Sequence, residues 1–269
     1  MLTIGKFKGK VFVISLLHCD DRRKFITDEF AKAQLEFEFV DAVNGKDVPM
    51  RDNPDIDYDS VSKSSRWLTP GIIGCSLSHL ACYKKIISEN LDFGLIFEDD
   101  VMFKIKDIRK LVEQIVPFTL PGNITLLYYQ SWDKISFHKS KGKELSENIS
   151  AYQADDAFDL ICTAGYLISR ASCEEMIRIL LPVHTGPDCW QYAFRKGAFR
   201  KLFLLYPIPC GTFDFRSTVT NLEMFDKGSL KSKIIAAIDD YKIPILYQYL
   251  KNRRKKNKNN LQQIEVVDD

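Results

Sequence analysis

Apolar runs of strand length alternate with amphipathic stretches along most of the chain. Val11, Phe12, Val13 and Ile14 form a continuous apolar run, which reads as a strand buried on both faces. Asp20 and Asp21 follow, and Phe25, Ile26 and Phe30 then recur at helical spacing, predicting a helix over residues 21–34. A second short run at 37–40 ends in Asp41-Ala42-Val43-Asn44-Gly45, a turn signal. Strand, helix and strand at this spacing predict a βαβ unit within a parallel sheet. Residues 46–70 are polar and aperiodic, which predicts a loop near the site. Ile73, Leu77, Leu80 and Ile87 share one face of a helix over 71–90, and a strand over 91–97 comes next. Beyond it the pattern predicts a helix over 105–116 ended by Pro117, a strand at 124–129, and an irregular polar loop at 130–158. An apolar, small-residue run at 161–169 precedes a helix over 172–181 stopped at Pro182, a short helix opening near Cys189, and a strand at 201–206. No internal repeat is visible.

Composition narrows the class. With 269 residues and 45% apolar content, the chain can bury one large domain with a small appendage. No apolar run reaches membrane-spanning length, and no secretory signal is read at the N-terminus. The 7 cysteines are odd in number and form no CxxC pair, which predicts reduced thiols, a cytoplasmic setting and no zinc site. Net charge is +2, but it is unevenly placed: six of the eight residues 251–258 are basic. Without that run and the acids Glu265, Asp268 and Asp269, residues 1–250 carry −1. A nucleic-acid-binding surface over the body is not indicated.

The sharpest chemical signal is Glu98-Asp99-Asp100, where a buried strand ends in three acids. Strand tips deliver ligands to the crevice of an open α/β sheet. Adjacent carboxylates repel unless a cation or donors offset them, and oxygen ligands suit Mg²⁺ or Mn²⁺ bound with a substrate's phosphates. The bland reading is a solvated acidic turn. Successive strand residues point to opposite sides, so Glu98 and Asp100 are expected to share a face while Asp99 points away.

Four segments resemble glycosyltransferase family 25, which includes bacterial lipooligosaccharide galactosyl- and glucosyltransferases. They are Val11 to Leu16 with Arg22-Arg23, Phe39 to Gly45, Gly71-Ile72-Ile73-Gly74-Cys75-Ser76-Leu77-Ser78-His79 running on to Glu98-Asp99-Asp100, and Thr163 to Ser169 with Pro187-Asp188-Cys189-Trp190 downstream. The resemblance covers roughly residues 10–220. It implies a GT-A-like, Rossmann-type α/β fold: a mixed, mostly parallel sheet flanked by helices, with a C-terminal helical basic tail. It implies a catalytic domain over 1–228, followed by an amphipathic segment and tail over 229–269. It further implies a UDP-sugar donor, UDP-galactose or UDP-glucose, an Mn²⁺ or Mg²⁺ ion, inversion, and a lipooligosaccharide or lipopolysaccharide (LPS) acceptor.

By that resemblance Asp100 holds the metal, with His184 completing its shell or simply packed. Glu98 contacts the donor's ribose or a metal-bound water. Asp188 is the general base, or else it caps the helix that follows. Asp155 and Asp156 are rival acids. Arg22, Asp41, Ala42, Ser78, His79, Glu98, Asp99 and Gly165 form the expected donor set. Each member has a plain alternative. Arg22 suits diphosphate or a solvated helix start, and Asp41 to Gly45 suits uracil and ribose or an ordinary turn. His79 lines the donor pocket or is a satisfied core histidine, and Gly165 admits the donor sugar or a packed neighbour. A sugar-nucleotide nucleotidyltransferase would need a glycine-rich phosphate loop after the first strand, and Leu16 to Asp20 has no glycine. A glycan- or nucleotide-binding module without catalysis is the other alternative.

In the tail, Ile234, Ile235, Ile238, Tyr241, Ile245, Leu246, Tyr249 and Leu250 recur at near-helical spacing, with Pro244 expected to kink or break the helix. Joined to the basic run 251–258, this suits the anionic inner face of a membrane. The alternative is a packed helix with a solvated tail.

Overall fold

The computed structural model describes residues 1–64, 68–154, 159–215, 238 and 243–268. Asp155 and Asp156, the tail positions Ile234, Ile235 and Tyr241, and the expected boundary at 228 lie outside the described residues.

In chain order the elements are β1 (Leu2–Ile4), β2 (Phe7–Ser15), α1 (Asp20–Lys32), β3 (Glu38–Asp41), α2 (Tyr58–Lys63), α3 (Pro70–Ser88), β4 (Phe93–Glu98), β5 (Val101–Phe103) and α4 (Ile108–Thr119). Then come β6 (Ile124–Leu126), β7 (Gln130–Ser131), β8 (Ile135–His138), β9 (Lys143–Glu144), β10 (Ser150–Ala154), β11 (Leu160–Ile161), β12 (Gly165–Ser169), α5 (Arg170–Leu180), α6 (Trp190–Arg195), β13 (Leu202–Tyr206) and β14 (Cys210–Thr212). A C-terminal helix (Pro244–Asn260) and β15 (Ile264–Val267) close the chain.

A 9-stranded sheet runs β1-β2-β4-β12-β6-β13-β10-β9, with β3 beside the second half of β2. The β2–β3, β2–β4 and β6–β13 ladders are parallel, and the rest are antiparallel. The sheet is therefore mixed and not mostly parallel as expected. Parallel pairing needs a crossover, usually a helix. Between β6 and β12 the described residues carry only short strands and single turns, and β12 returns antiparallel between β4 and β6.

Alternation along the central strands produces two apolar layers. Val11, Val13, Phe93, Leu95, Phe97 and Leu167 face one side, against Ile26 and Phe30 of α1 and Leu111, Val112, Ile115 and Val116 of α4. Phe12, Ile14, Ile96, Tyr166 and Ile168 face the other, against Ile73, Leu80, Tyr83 and Ile86 of α3 and Cys173, Met176 and Leu180 of α5. Each such side chain contributes about 1.5–3 kcal/mol on burial, and this continuous sandwich fixes the strand tips.

Local chemistry sets the helix ends. Thr69 caps α3, accepting the Ile72 N–H at 3.4 Å, and Pro70 follows where no intrahelical donor is needed. Pro117 lies inside α4, contrary to expectation. It sits so close to the C-terminal end that few backbone bonds are affected, and Thr119 donates to Ile115 O at 2.9 Å. The expected loop at 46–70 contains α2, capped by Asp57. The expected loop at 130–158 contains β7 to β10, strands too short to show a period.

The basic run 251–258 lies within the C-terminal helix, and Pro244 opens that helix at its first turn. The chain then docks back: β15 pairs parallel with β8, and Lys134 meets Glu265 at 2.6 Å.

Candidate active site

The C-terminal tips of β2, β3 and β4 open into a cleft lined by Ser15, Arg22, Ala42 to Gly45, Gly71, Cys75, Ser78, Phe215 and all three acids, Glu98, Asp99 and Asp100. This is where an open α/β sheet binds ligands. A larger cavity of about 360 Å³, around Met1, Gln34 and Arg109, touches none of the expected site residues. The chemistry, not the volume, marks the cleft.

The three acids have three different environments. Asp99 is buried: Arg22 Nη1 donates to its Oδ1, and Ser15 Oγ donates to its Oδ2 at 2.7 Å. Its charge is already matched by a guanidinium that is itself 8% exposed and packs 4.9 Å from the Phe215 ring centroid. Glu98 accepts from Thr163 Oγ1 at 2.5 Å and lies 3.5 Å from His79 Nε2. Burial pushes the Glu98 carboxyl up, but the His79 ring, the Thr163 hydroxyl and Arg22 outweigh it and hold it below its ordinary range. Asp100 opens toward the cleft at the turn after β4.

Helix α3 organises the walls. Gly74 and Gly45 let its backbone meet the 43–45 loop directly: a Cβ on Gly74 would stand 2.5 Å from Val43 O, and one on Gly45 1.6 Å from Pro70 O. Ser78 Oγ accepts the Val43 N–H at 2.8 Å and donates to Gly74 O at 2.6 Å. Ser76 Oγ donates to Thr185 O at 3.0 Å, anchoring the loop that leads to Asp188. His79 Nδ1 meets the Tyr166 hydroxyl at 2.7 Å, and Tyr166 meets Tyr83 at 2.9 Å. His79 thus stands behind Glu98 and not among the residues lining the cleft.

Asp188 does not cap α6. The residue at the cap is Cys189, without a side-chain bond, and Asp188 Oδ2 instead accepts the Cys162 N–H at 3.1 Å. Cys162 is held at φ +82, a strained backbone for a residue with a side chain. Its carbonyl accepts from Trp190 Nε1 at 3.0 Å, and its thiol reaches Gln130 Oε1 at 3.3 Å. Burial, then the fields of Glu98, Asp188 and Asp100, push the Cys75 thiol well above its usual value. Glu98 and Asp100 line the cleft together with Cys75, and Asp188 is near enough to act on that sulfur.

The remaining expected residues are placed elsewhere. His184 turns Nδ1 to Pro182 O at 2.9 Å and Nε2 to Tyr192 OH at 3.0 Å. Asp41 pairs with Arg23, whose guanidinium also holds Leu16 O and Ser15 O, so this pair braces the tips of β2 and β3. Gly165 lies under the Phe97 ring, 3.0 Å from where its Cβ would be, which is a packing role. Sequence reasoning missed Thr163, Cys162 and Tyr166 as partners of Glu98, Asp188 and His79. It also missed Cys75: the i, i+4 spacing of Cys75 and His79 was a helical-face signal for the cluster they form with Glu98, all ligand atoms lying within 4.8 Å of one another.

Residues 8–190 match the family described as Glycosyltransferase family 25 (LPS biosynthesis protein). A Haemophilus influenzae protein named "Putative glycosyltransferase" is 30% identical over 172 residues, 63% of this chain and 57% of that one. Human procollagen galactosyltransferase 2 is 28% identical over 176 residues, 62% of this chain and 27% of that one. The mouse inactive glycosyltransferase 25 family member 3 is 29% identical over 131 residues, 47% of this chain and 21% of its own length. The aligned part thus spans a little over half of the first relative and about a quarter of the other two. The motif order, the cleft at the strand tips and the match over residues 8–190 agree, and the chain belongs to glycosyltransferase family 25.

Proposed function

We propose that this chain moves galactose or glucose from a UDP-sugar to a lipooligosaccharide or LPS acceptor, with inversion, in a GT-A-like catalytic domain over residues 1–228. The observation that carries the reading is that Glu98 and Asp100 line one cleft at the strand tips, with Asp188 near enough to act on Cys75, which lines the same cleft. Carboxylate oxygens gathered in this way fit Mg²⁺ or Mn²⁺. Asp100 would hold the ion, and Glu98, fixed by Thr163, would bind ribose or an ion-bound water. Such a cation offsets the charge that grows on the diphosphate as the sugar leaves. His184, with both ring nitrogens engaged, is left out of this set.

The chain's own groups supply the rest. The Ala42 to Gly45 loop, pinned by Ser78, offers backbone groups to uracil and ribose. Asp188, aimed by the Cys162 N–H, takes the proton of the acceptor hydroxyl as its oxygen attacks the anomeric carbon. Inversion then follows from a single displacement on the face opposite the leaving diphosphate.

The C-terminal helix extends the proposal to location. No helix among the described residues is long and apolar enough to cross a membrane. Ile245, Leu246 and Tyr249 are exposed on the helix that also carries the basic run. Apolar side chains beside cations suit the anionic cytoplasmic leaflet, where the lipid-linked acceptor would lie.

The test is UDP release by the purified chain from UDP-galactose, UDP-glucose and UDP-N-acetylglucosamine, with and without Mn²⁺, alongside Asp100→Ala. Metal-dependent release from one hexose donor, lost in Asp100→Ala together with tight UDP binding, supports the reading. Tight metal-dependent UDP binding that never leads to turnover, even with acceptor, would make the chain a binding module. Full activity in Asp100→Ala would remove that residue from the metal.

A further inference from the structure

Behind the acids of the cleft, Cys75 and His79 present their side chains one helical turn apart on α3, facing Glu98 at the tip of β4. Their ligand atoms all lie within 4.8 Å of one another. His79 is 1% exposed, and its Nε2 is buried without a hydrogen-bond partner among the described residues. The 3.5 Å from Nε2 to Glu98 Oε1 is too long for a good hydrogen bond. A buried nitrogen left in that state costs about 1–3 kcal/mol unless something else occupies it.

The other ring nitrogen is already fixed. Tyr166 OH sits 2.7 Å from Nδ1, and Tyr83 OH is 2.9 Å beyond. A neutral histidine that donates Nδ1–H to such a partner carries its lone pair on Nε2, the arrangement found behind metal-bound imidazoles, so the charged ring that lowers Glu98 would release its Nε2 proton to solvent on binding an ion. Thr163 steadies the carboxylate in the same way.

From this geometry we infer that Cys75, His79 and Glu98 form a binding site for a thiophilic divalent cation of the Zn²⁺ class. One thiolate, one imidazole and one carboxylate are the donors such an ion prefers, whereas Mg²⁺ and Mn²⁺ prefer oxygen. Movements of about an ångström would bring the three atoms to tetrahedral spacing. On binding, the Cys75 S–H bond breaks, a sulfur–metal bond forms, and the proton goes to solvent. The thiolate and carboxylate together cancel the ion's charge, so the filled site is neutral. Cys75 and Glu98 both line the cleft, so the fourth position opens into it and is free for an oxygen ligand. The inference stands whether or not the chain transfers sugar; it takes Glu98 from ribose and the ion-bound water, and leaves Asp100 and Asp188 to other ligands.

The test is a Co²⁺ titration of the metal-free, reduced protein, read by absorbance without any nucleotide. One equivalent should produce a thiolate-to-cobalt charge-transfer band with tetrahedral visible bands, and one equivalent of Zn²⁺ should bleach both. Cys75→Ser should lose the charge-transfer band, His79→Gln should weaken Co²⁺ binding at least tenfold, and Asp100→Asn should keep the band. Circular dichroism confirms that each variant is folded. If a variant is not, protection of the Cys75 thiol of the wild-type chain from alkylation by one equivalent of Zn²⁺ decides the matter. No charge-transfer band at stoichiometric Co²⁺, a band that survives in Cys75→Ser, or no protection of Cys75 would overturn the site.

Discussion

Asp188 and Cys162 are joined by one hydrogen bond, Cys162 N–H to Asp188 Oδ2 at 3.1 Å, across 26 residues of chain. Cys162 holds a left-handed backbone at φ +82, and Trp190 ties down its carbonyl. A carboxylate held by a backbone donor keeps its direction without a neighbouring cation. A base needs this, because a paired guanidinium would blunt its appetite for a proton. Asp99, matched to Arg22, is the opposite case.

The first prediction concerns Asp188 as the proposed base. Asp188→Asn keeps a carbonyl oxygen for the Cys162 N–H but cannot take a proton. Transfer should fall by about 10²-fold or more while UDP-sugar affinity is retained. Steady-state transfer and calorimetric binding of the donor separate the two effects. Unchanged transfer would leave Asp188 as a brace for residue 162 only.

Gly74→Ala tests the contact between α3 and the 43–45 loop. In an open helix interior alanine is favoured over glycine by about 1 kcal/mol. Here the new Cβ would meet Val43 O at 2.5 Å and Gly45 N at 2.6 Å. The sign should therefore reverse, with a loss of about 1–3 kcal/mol in urea unfolding at constant m-value. A stabilised variant would show that the loop moves aside freely.

Arg22→Met should be among the most damaging single changes near the cleft. It leaves Asp99, 8% exposed, charged and without its cation, at a cost of about 3–5 kcal/mol. Adding Asp99→Leu should restore much of that stability. A single variant as stable as the parent would mean that water, not Arg22, offsets the Asp99 charge.

Reading the chain alone recovered what long periodic segments encode. The run at Val11 to Ile14, the helix after it, the long helix at 71–90 and the strand ending in Glu98 all correspond to elements found within a few residues, although the first helix opens after Cys19 without a side-chain cap. The alternation argument set Asp99 apart from its neighbours, but the strand ends at Glu98, and Asp99, held by Ser15 and Arg22, lines the same cleft as Glu98 and Asp100. Long-range choices were hidden. Nothing local says that Arg22 reaches Asp99, 77 residues on, or that Cys162 rather than α6 receives Asp188. Strands β7, β9 and β11 span two residues each, too few for any period, so the segment between β6 and β12 read as loop. With those strands hidden, the antiparallel place of β12 was hidden too. Glycines 45, 74 and 165 were visible, but what each of them touches was not.

Stability should also carry a pH signature from outside the site. Lys10 and Lys85 each contact both Glu38 and Glu89, at 2.9, 2.5, 2.6 and 3.2 Å, binding β2, β3 and α3 together. Lys85 first and Lys10 second hold Glu38 below its ordinary 4.5, and Lys10 first and Lys85 second do the same for Glu89. A depressed folded pKa means the contribution is present above 4.5 and is lost as pH falls through the lower folded value. The lysines, raised by the same contacts, hold their contribution below 10.5 and lose it above their folded values. All four side chains are a quarter to a third or more exposed, so each pair is worth at most about 1 kcal/mol and weakens with salt. The stability gap between the parent and Glu38→Gln/Glu89→Gln should be flat from neutral pH down to 4.5 and close below it. A gap that persists at pH 3 would locate the effect in packing instead.

Ser76 and Ser78 stand two positions apart on one rigid helix, yet they hold two different loops, at Thr185 and at Val43. Helix α3 therefore works as a ruler. The two side chains leave the rod about 200° apart, so the spacing between the loop that would read the nucleotide and the loop that carries Asp188 is set by the width of a single helix, not by how two separate loops happen to fold. That width is a fixed gauge. Donor preference in this chain should change more readily by resizing side chains within that gauge than by altering either loop alone.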